Sequence, residues 1–159
     1  APPPGLTDAY CCLGTTIRKA GSQEAFRAVD HDAVLSFARW AKAGGARSFV
    51  VVSSMGADAR SRVFYSRVKG ETERDLATVG FESLLVLRPS LIAGPRKEQR
   101  IGERIGLAVA AALRPVLPKH VRAIPAETIG KAMVAAAASQ RGSHVFLSGE
   151  IPALLHGTR

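Results

Sequence analysis

Two kinds of apolar pattern alternate along the chain. Continuous runs of β-branched and other apolar residues predict strands that are covered on both faces. Apolar residues at spacings of three and four predict amphipathic helices between them. In chain order the predicted elements are strand 8–13, helix 23–43, strand 47–53, helix 63–79, strand 82–87, helix 101–113, short strand 122–125, helix 126–139 and strand 144–147.

This alternation predicts an α/β fold with a doubly wound parallel sheet, because parallel strands need helical crossovers between them. Residues 1–150 are expected to form a single domain, and residues 151–159 a frayed tail. In such sheets ligands bind beyond the carboxyl ends of the strands. The residues that directly follow each strand are therefore the candidates for chemistry.

The long helix 23–43 has a predicted buried face and a predicted solvated turn. Asp30 and Asp32, on either side of His31, are interpreted as that solvated turn. The predicted core positions recur at spacings of three and four; they are Phe26, Val29, Ala33, Phe37, Trp40 and Ala41.

The composition is that of an ordinary globular protein. The chain has 159 residues, 47% hydrophobic and 22% charged, which is enough to bury a core without disulfide or metal staples. No apolar run approaches the about 18 residues of a membrane span, so no membrane contact is expected. Cys11 and Cys12 are adjacent and form neither a disulfide framework nor a metal site. We therefore expect a reducing, cytoplasmic compartment and no metal.

Hydroxyl, phenol and ammonium groups follow the predicted strands. Ser53 and Ser54 end the second strand, and Tyr65 and Lys69 lie four residues apart on the next helix, so they share a face. A lysine ammonium beside a phenol favours the phenolate, and a serine hydroxyl can bond the carbonyl oxygen that a tyrosine protonates. The set suits hydride transfer at a carbonyl, with the tyrosine as acid or base. The alternatives are an ordinary polar strand end, a half-buried helix aromatic and a solvated lysine.

Three segments carry a family resemblance: VVSSMGAD, FYSRVKGETE and LLVLRPSLIAGPR. Together they resemble the short-chain dehydrogenase/reductase superfamily. More narrowly, they resemble its atypical branch of Tat-interacting-protein-like reductases and their small bacterial homologues. The resemblance implies a Rossmann-like fold, NADP or NAD as cofactor, and a small-molecule carbonyl or alcohol as substrate.

The resemblance also implies a role for individual residues. Ser54 is the catalytic serine with Ser53 as the fallback, Tyr65 is the general acid or base, and Lys69 binds the ribose and tunes the tyrosine. Arg96 lies near the substrate mouth. The residues implied to border the cofactor are Leu13, Gly14, Thr15, Ser53, Lys69, Pro89 and Ser90.

One part of the family pattern is missing from the sequence. No G-x-G-x-x-G or G-x-x-G-x-x-G turn follows a strand, so the first β-α units, about 60 residues, are absent from the chain. The Ala-Pro-Pro-Pro-Gly start without Met favours a piece of a longer protein. The alternative is a truncated relative, which would expose the edge of its first strand and should therefore dimerise, as a homodimer, or aggregate.

The basic excess leaves further functions open. The formal net charge is +9, and part of it is concentrated in one segment with Arg96, Lys97, Arg100 and Arg104. This segment would suit an anionic substrate, an NADP phosphate, nucleic acid, or only solvent. Nucleic acid is the weakest of these hypotheses, because no aromatic residues interleave the charges. A non-catalytic dinucleotide-sensing or protein-interaction scaffold of the same fold remains the main alternative to an oxidoreductase.

Overall fold

The structure is a computed structural model that describes residues 1–93 and 123–156. Its elements alternate between strands and helices, as the sequence predicts. They are β1 (Asp8–Cys11), α1 (Ile17–Ala20), α2 (Gln23–Arg27), a π-helical turn (Ala28–Ala33), α3 (Val34–Ala43), β2 (Ser48–Val52), α4 (Phe64–Ala77), β3 (Ser83–Arg88), β4 (Ile92–Ala93), β5 (Ile124–Pro125), α5 (Ala126–Ser139), β6 (Gly142–Leu147) and a 3₁₀-helix (Ile151–His156).

Four of the strands form one parallel sheet in the order β1-β2-β3-β6. Tyr10 of β1 is opposite Val50 of β2, which is opposite Leu85 of β3. β4 and β5 pair separately, also in parallel. The predicted parallel α/β fold is confirmed, and all four carboxyl ends of the main sheet meet at one edge.

Both faces of the sheet are covered by helices, which explains why the strands are apolar throughout. On one face, alternate strand residues such as Phe49 and Val86 pack with Val34 and Ala38 of α3 and with Leu76 of α4. On the other face, the strand residues pack against α5. The buried residues of that second core are Val50, Leu85, Leu87, Ile124, Ile129, Ala132, Met133, Ala136, Ala137 and Ile151.

The predicted buried face of helix 23–43 is wrong in part. Val29 is 36% exposed and Trp40 42% exposed, whereas Asp30 is 1% exposed and His31 8% exposed. The π-helical turn explains the difference, because it widens the helix and shifts the phase of every later position. The interpretation of Asp30 as a solvated residue is therefore corrected.

The segment after residue 150 also differs from the expected frayed tail. It forms the 3₁₀-helix up to His156, and Ile151 is fully buried in the second core. Arg96, the basic segment and the predicted helix 101–113 lie outside the described residues. Among the described residues, no helix has the length and apolarity needed to cross a bilayer.

Candidate active site

The segments that follow β2 and β3 run side by side at the carboxyl edge of the sheet. The backbone N–H of Ser53 donates to the carbonyl oxygen of Leu87 at 2.8 Å, and that of Met55 donates to the carbonyl oxygen of Pro89 at 3.0 Å. The serine pair is thus held next to the buried Pro89. The segments that follow the second and third predicted strands therefore lie next to each other, as the parallel topology requires.

The two serines have different surroundings. The hydroxyl of Ser53 donates to the Glu73 carboxylate of α4. The Oγ atom of Ser54 is buried and has no hydrogen-bond partner among residues 1–93 and 123–156. A buried hydroxyl without a partner is costly, so a ligand oxygen at this position would satisfy it.

Helix α4 presents Tyr65 and Lys69 one turn apart. The helix begins at Phe64, directly after the extended residue Val63. The ring of Tyr65 packs against the buried ring of Phe26, with 5.5 Å between the centroids. Tyr65 is half-buried and Lys69 is buried. Both are therefore held by packing rather than free in solvent.

The ammonium of Lys69 pairs with a carboxylate that the sequence analysis did not include in the site. Lys69 Nζ lies 2.7 Å from Asp30 Oδ1, and the two side chains are 8% and 0% exposed. The other oxygen, Asp30 Oδ2, accepts from the backbone N–H of Thr15 at 2.8 Å. Asp30 therefore joins the loop after β1 to the lysine of α4.

A signal for Asp30 is present in the sequence. It lies four residues after Phe26 and four before Val34, both of which are fully buried. A carboxylate on an apolar stripe is buried only when it is paired, which makes such a position a candidate for function. The flanking His31 and Asp32 hid this signal, because the three polar residues together resemble a solvated turn.

The π-helical turn is fixed to α4 by two further contacts. Thr72 Oγ1 donates to the carbonyl oxygen of Asp30 at 2.9 Å. The His31 ring lies between two carboxylates, with Nδ1 2.6 Å from Asp32 Oδ1 and Nε2 2.9 Å from Asp75 Oδ2. Hydrogen bonds from Arg74 first and from His31 second lower the pKa of Asp75 from 3.8 to about 2.

The remaining predicted residues are placed as follows. Leu13, Ser53 and Lys69 line one small cavity of about 10 Å³, which holds at most a single water molecule. The backbone N–H of Ser90 donates to Ser148 Oγ at 3.1 Å, and this contact joins the ends of β3 and β6. Arg96 lies outside the described residues, so its predicted place at the substrate mouth stays a prediction.

The two cysteines at the end of β1 have free thiols, with Cys11 buried and Cys12 exposed. Burial raises the pKa of the Cys11 thiol, and it raises that of the Cys12 thiol as well. Thiols with raised pKa values are poor nucleophiles at neutral pH. Among the described residues, no group of three side chains could hold a metal ion.

The residues present fit the nicotinamide half of a dinucleotide. Among the described residues Ser54 Oγ has no hydrogen-bond partner, and the exposed loop residue Gly14 lies beside Lys69 and Asp30. A Cβ atom at Gly14 would lie 3.3 Å from Asp30 Oδ1 and 3.6 Å from Lys69 Nζ, so glycine keeps this approach open. A Gly-rich turn for the pyrophosphate is not in the sequence.

Comparisons with known proteins agree with this geometry. No family model matches the chain. It is 41% identical over 143 residues to Protein fmp52, mitochondrial, of Emericella nidulans, covering 89% of the chain and 59% of the relative. It is 42% identical over 125 residues to Protein HTATIP2 of Rattus norvegicus, covering 79% and 51%. The chain thus spans between half and three fifths of the length of these relatives.

A solved structure, RMD from Pseudomonas aeruginosa complexed with NADPH, has the same fold. The TM-score is 0.62 at 16% identity, over 92% of this chain and 62% of that one. The parallel sheet, with the candidate residues at its carboxyl edge, defines a Rossmann-like α/β fold. The similarity to fmp52 and HTATIP2 supports the predicted assignment of the chain to the short-chain dehydrogenase/reductase superfamily and its Tat-interacting-protein-like branch.

The expected cytoplasmic location is wrong by the same comparison. The relatives from Emericella nidulans, Coccidioides immitis and Candida albicans all carry mitochondrial names. The expectation rested on the two cysteines, which distinguish a reducing from an oxidising compartment. Cysteine content does not distinguish one reducing compartment from another, so it could not support the expected cytoplasmic location.

Proposed function

We propose that the protein is an NAD(P)-dependent oxidoreductase that transfers a hydride between a nicotinamide and a small carbonyl or alcohol. One observation carries this proposal: Tyr65 and the buried Lys69 share a face of α4, while Ser54, at the end of β2, has a buried hydroxyl that finds no partner within the part of the chain that the structure describes. Family membership adds to it, but a fold alone does not specify chemistry.

Each of the three residues has a separate role. The Tyr65 hydroxyl gives or takes a proton at the substrate oxygen, and the Ser54 hydroxyl donates a hydrogen bond to the same oxygen. The Lys69 ammonium binds the ribose hydroxyls and stabilises the phenolate of Tyr65. When bound, the nicotinamide supplies or accepts the hydride.

The cofactor is held by residues from three segments. Gly14 and Thr15 of the loop after β1 border the nicotinamide ribose, next to Lys69. Pro89, whose carbonyl oxygen is bonded to Met55, borders the ring. The remaining residues that we assign to the cofactor site are Leu13, Ser53 and Ser90.

Cofactor binding and turnover test this proposal in the full-length protein. NADPH or NADH should raise the melting temperature by several degrees, because a ligand that binds only the folded state stabilises it. Phenanthrenequinone, benzaldehyde or cyclohexanone should then cause loss of the reduced-nicotinamide absorbance. The proposal is contradicted if neither cofactor stabilises the protein, or if none of the three carbonyls is reduced.

A non-catalytic dinucleotide sensor of the same fold is the second candidate. The contact between Lys69 and Asp30 favours it, because the carboxylate offsets the positive charge that Tyr65 would need. A sensor would bind NADPH or NADH without reducing any carbonyl, and Tyr65→Phe would leave its biological activity unchanged. An oxidoreductase would lose turnover on the same substitution.

A further inference from the structure

Helix α4 carries a second acidic contact that the proposed chemistry does not use. Glu73 lies one turn after Lys69 and binds the guanidinium of Arg88 at the end of β3. Arg88 Nε donates to Glu73 Oε1 at 3.1 Å and Oε2 at 3.2 Å, and Arg88 Nη2 donates to Oε2 at 2.5 Å. The Ser53 hydroxyl, at the end of β2, donates to the same carboxylate.

These contacts have the geometry of a rigid connection. The side chains of Glu73 and Arg88 are only 11% and 25% exposed, so the pair is partly shielded from water. A carboxylate that receives several hydrogen bonds from a guanidinium is fixed in orientation as well as in distance. Glu73 thus connects α4 to the ends of two neighbouring strands at once.

The same helix is also connected to the π-helical turn. Lys69 pairs with Asp30, and Asp75 bonds the His31 ring. The helix is therefore held from the strand ends by Glu73 and from the π-helical turn by Lys69 and Asp75. Because α4 is bound both to the strand ends and to the π-helical turn, its rotation and its sliding along its own axis are both restricted.

Tyr65, Lys69 and Glu73 follow each other at a spacing of four residues. Residues at this spacing lie above one another on one helix face, with a rise of about 6 Å per step. A shift of the helix at Glu73 is therefore transmitted along its axis to Lys69 and Tyr65. A misplacement of about 1 Å at reacting groups can cost about 100-fold in rate.

We propose that Glu73 is a positioning residue which, through Arg88 and Ser53, holds the Tyr65–Lys69 face of α4 in register with Ser54. The proposal rests on the proposed function, since it assigns a role in the same reaction. It also explains the difference between the two serines: Glu73 takes up the Ser53 hydroxyl, and the hydroxyl of Ser54 stays available.

The test compares three variants of the full-length protein: Glu73→Ala, Glu73→Gln and, as matched control, Glu71→Ala. Glu71 is on the same helix, its side chain is 18% exposed, and it pairs with Arg27 of α2 instead of a strand end. We measure kcat and KM for phenanthrenequinone at saturating NADPH, the Kd of NADPH, and the melting temperature. A stability effect alone would appear in Glu71→Ala as well.

We expect Glu73→Ala to lower kcat by at least about tenfold, while KM and the NADPH Kd change less than about threefold. Glu73→Gln should restore kcat to within about threefold of the wild type, because its amide oxygen still accepts from Ser53 and Arg88. Glu71→Ala should keep the wild-type kcat. If Glu73→Ala does not fold, Arg88→Lys is used in its place. This substitution keeps the positive charge but removes the guanidinium group that donates several hydrogen bonds to Glu73. We then expect kcat to fall by several-fold.

Three results would overturn the proposal while leaving the proposed function intact. They are equal kcat values for Glu73→Ala and Glu71→Ala, no recovery of kcat in Glu73→Gln, or a loss that appears only in KM or in the NADPH Kd. A wild-type protein that reduces no carbonyl is a different result, because it contradicts the proposed function itself. The two failures are therefore distinguishable.

Discussion

Lys69 is the residue on which the chemistry and the stability of the site both depend. Its ammonium is nearly inaccessible to water and is 2.7 Å from a carboxylate oxygen of Asp30. A buried charge of this kind is tolerated only with a partner, so each side chain requires the other. Asp30 therefore holds the lysine side chain in place beside Gly14 and Thr15.

Removing Asp30 should be strongly destabilising. Asp30→Ala leaves the Lys69 ammonium buried without its carboxylate, and we expect the free energy of unfolding to fall by about 3 kcal/mol or more. Urea unfolding measures this change. Glu127→Ala, which breaks the exposed pair with Lys131 on α5, is the control and should barely change the unfolding midpoint. Equal losses of stability in Asp30→Ala and Glu127→Ala would contradict the conclusion that the buried Lys69–Asp30 pair stabilises the fold.

Asp75 should make stability depend on pH in acid. Its pKa is about 2 in the folded protein against 3.8 for the unperturbed group, so the folded state favours its ionised form. The resulting stabilisation is complete above pH about 4 and is lost as pH falls towards about 2. In Asp75→Asn, urea unfolding midpoints should fall less over this window than in the wild type. An unchanged acid dependence would contradict the contacts of Asp75 with Arg74 and His31.

The site residues show what can be proposed from the sequence at the level of single residues and what cannot. Tyr65 and Lys69 could be proposed because their spacing is local to one helix, and the spacing survives any packing of that helix. Asp30 lies 39 residues before Lys69, and Glu73 lies one turn after Lys69 and binds Arg88 of β3; both act through contacts made only in the folded chain. Their partners are not encoded in any short segment.

At the scale of elements, most strands and helices could be predicted from apolar patterns, and the π-helical turn could not. Strands β2 and β3 are read from continuous apolar runs, and α5 has the predicted bounds Ala126–Ser139. One extra residue in the turn Ala28–Ala33 leaves the helical pattern on both sides intact and changes only its phase. The buried face predicted for α3 therefore differs from the face that is buried in the structure.

Gly70, next to Lys69, permits close packing of the preceding loop on α4. A Cβ atom at this position would lie 2.1 Å from the backbone nitrogen of Ala59 and 2.2 Å from the carbonyl carbon of Asp58. Gly70→Ala must therefore move backbone, and we expect a loss of about 3 kcal/mol in the free energy of unfolding.

Gly130 provides a matched control for Gly70, because it is a helical glycine of α5 where an added Cβ atom would meet nothing within 4 Å beyond its own helix. Gly130→Ala should leave stability unchanged or raise it by up to about 1 kcal/mol, since alanine is the better helix former. Thermal unfolding of both variants measures the difference. Similar melting temperatures for the two would contradict the close approach at Gly70.

Over the whole molecule, the described sheet has two edge strands, β1 and β6, each paired on one side only. β1 pairs only with β2, and Tyr10 and Leu13 at this edge are 41% and 43% exposed. An exposed strand edge is a template for pairing with another chain. We propose that the 159-residue chain forms a homodimer through β1. Light scattering should give twice the mass of 16.8 kDa, and a monomer at all concentrations would contradict the proposal.

The proposed role of Tyr65 as the acid or base of a hydride transfer is tested by comparing its phenylalanine variant with a matched control. The chain has two tyrosines, so Tyr10→Phe is the matched control for Tyr65→Phe. In the full-length protein, we measure kcat/KM for phenanthrenequinone together with the Kd of NADPH. We predict that Tyr65→Phe lowers kcat/KM by about 100-fold or more with little change in the Kd, while Tyr10→Phe keeps both. Equal kcat/KM values for Tyr65→Phe and the wild type would contradict the role of Tyr65 as the acid or base.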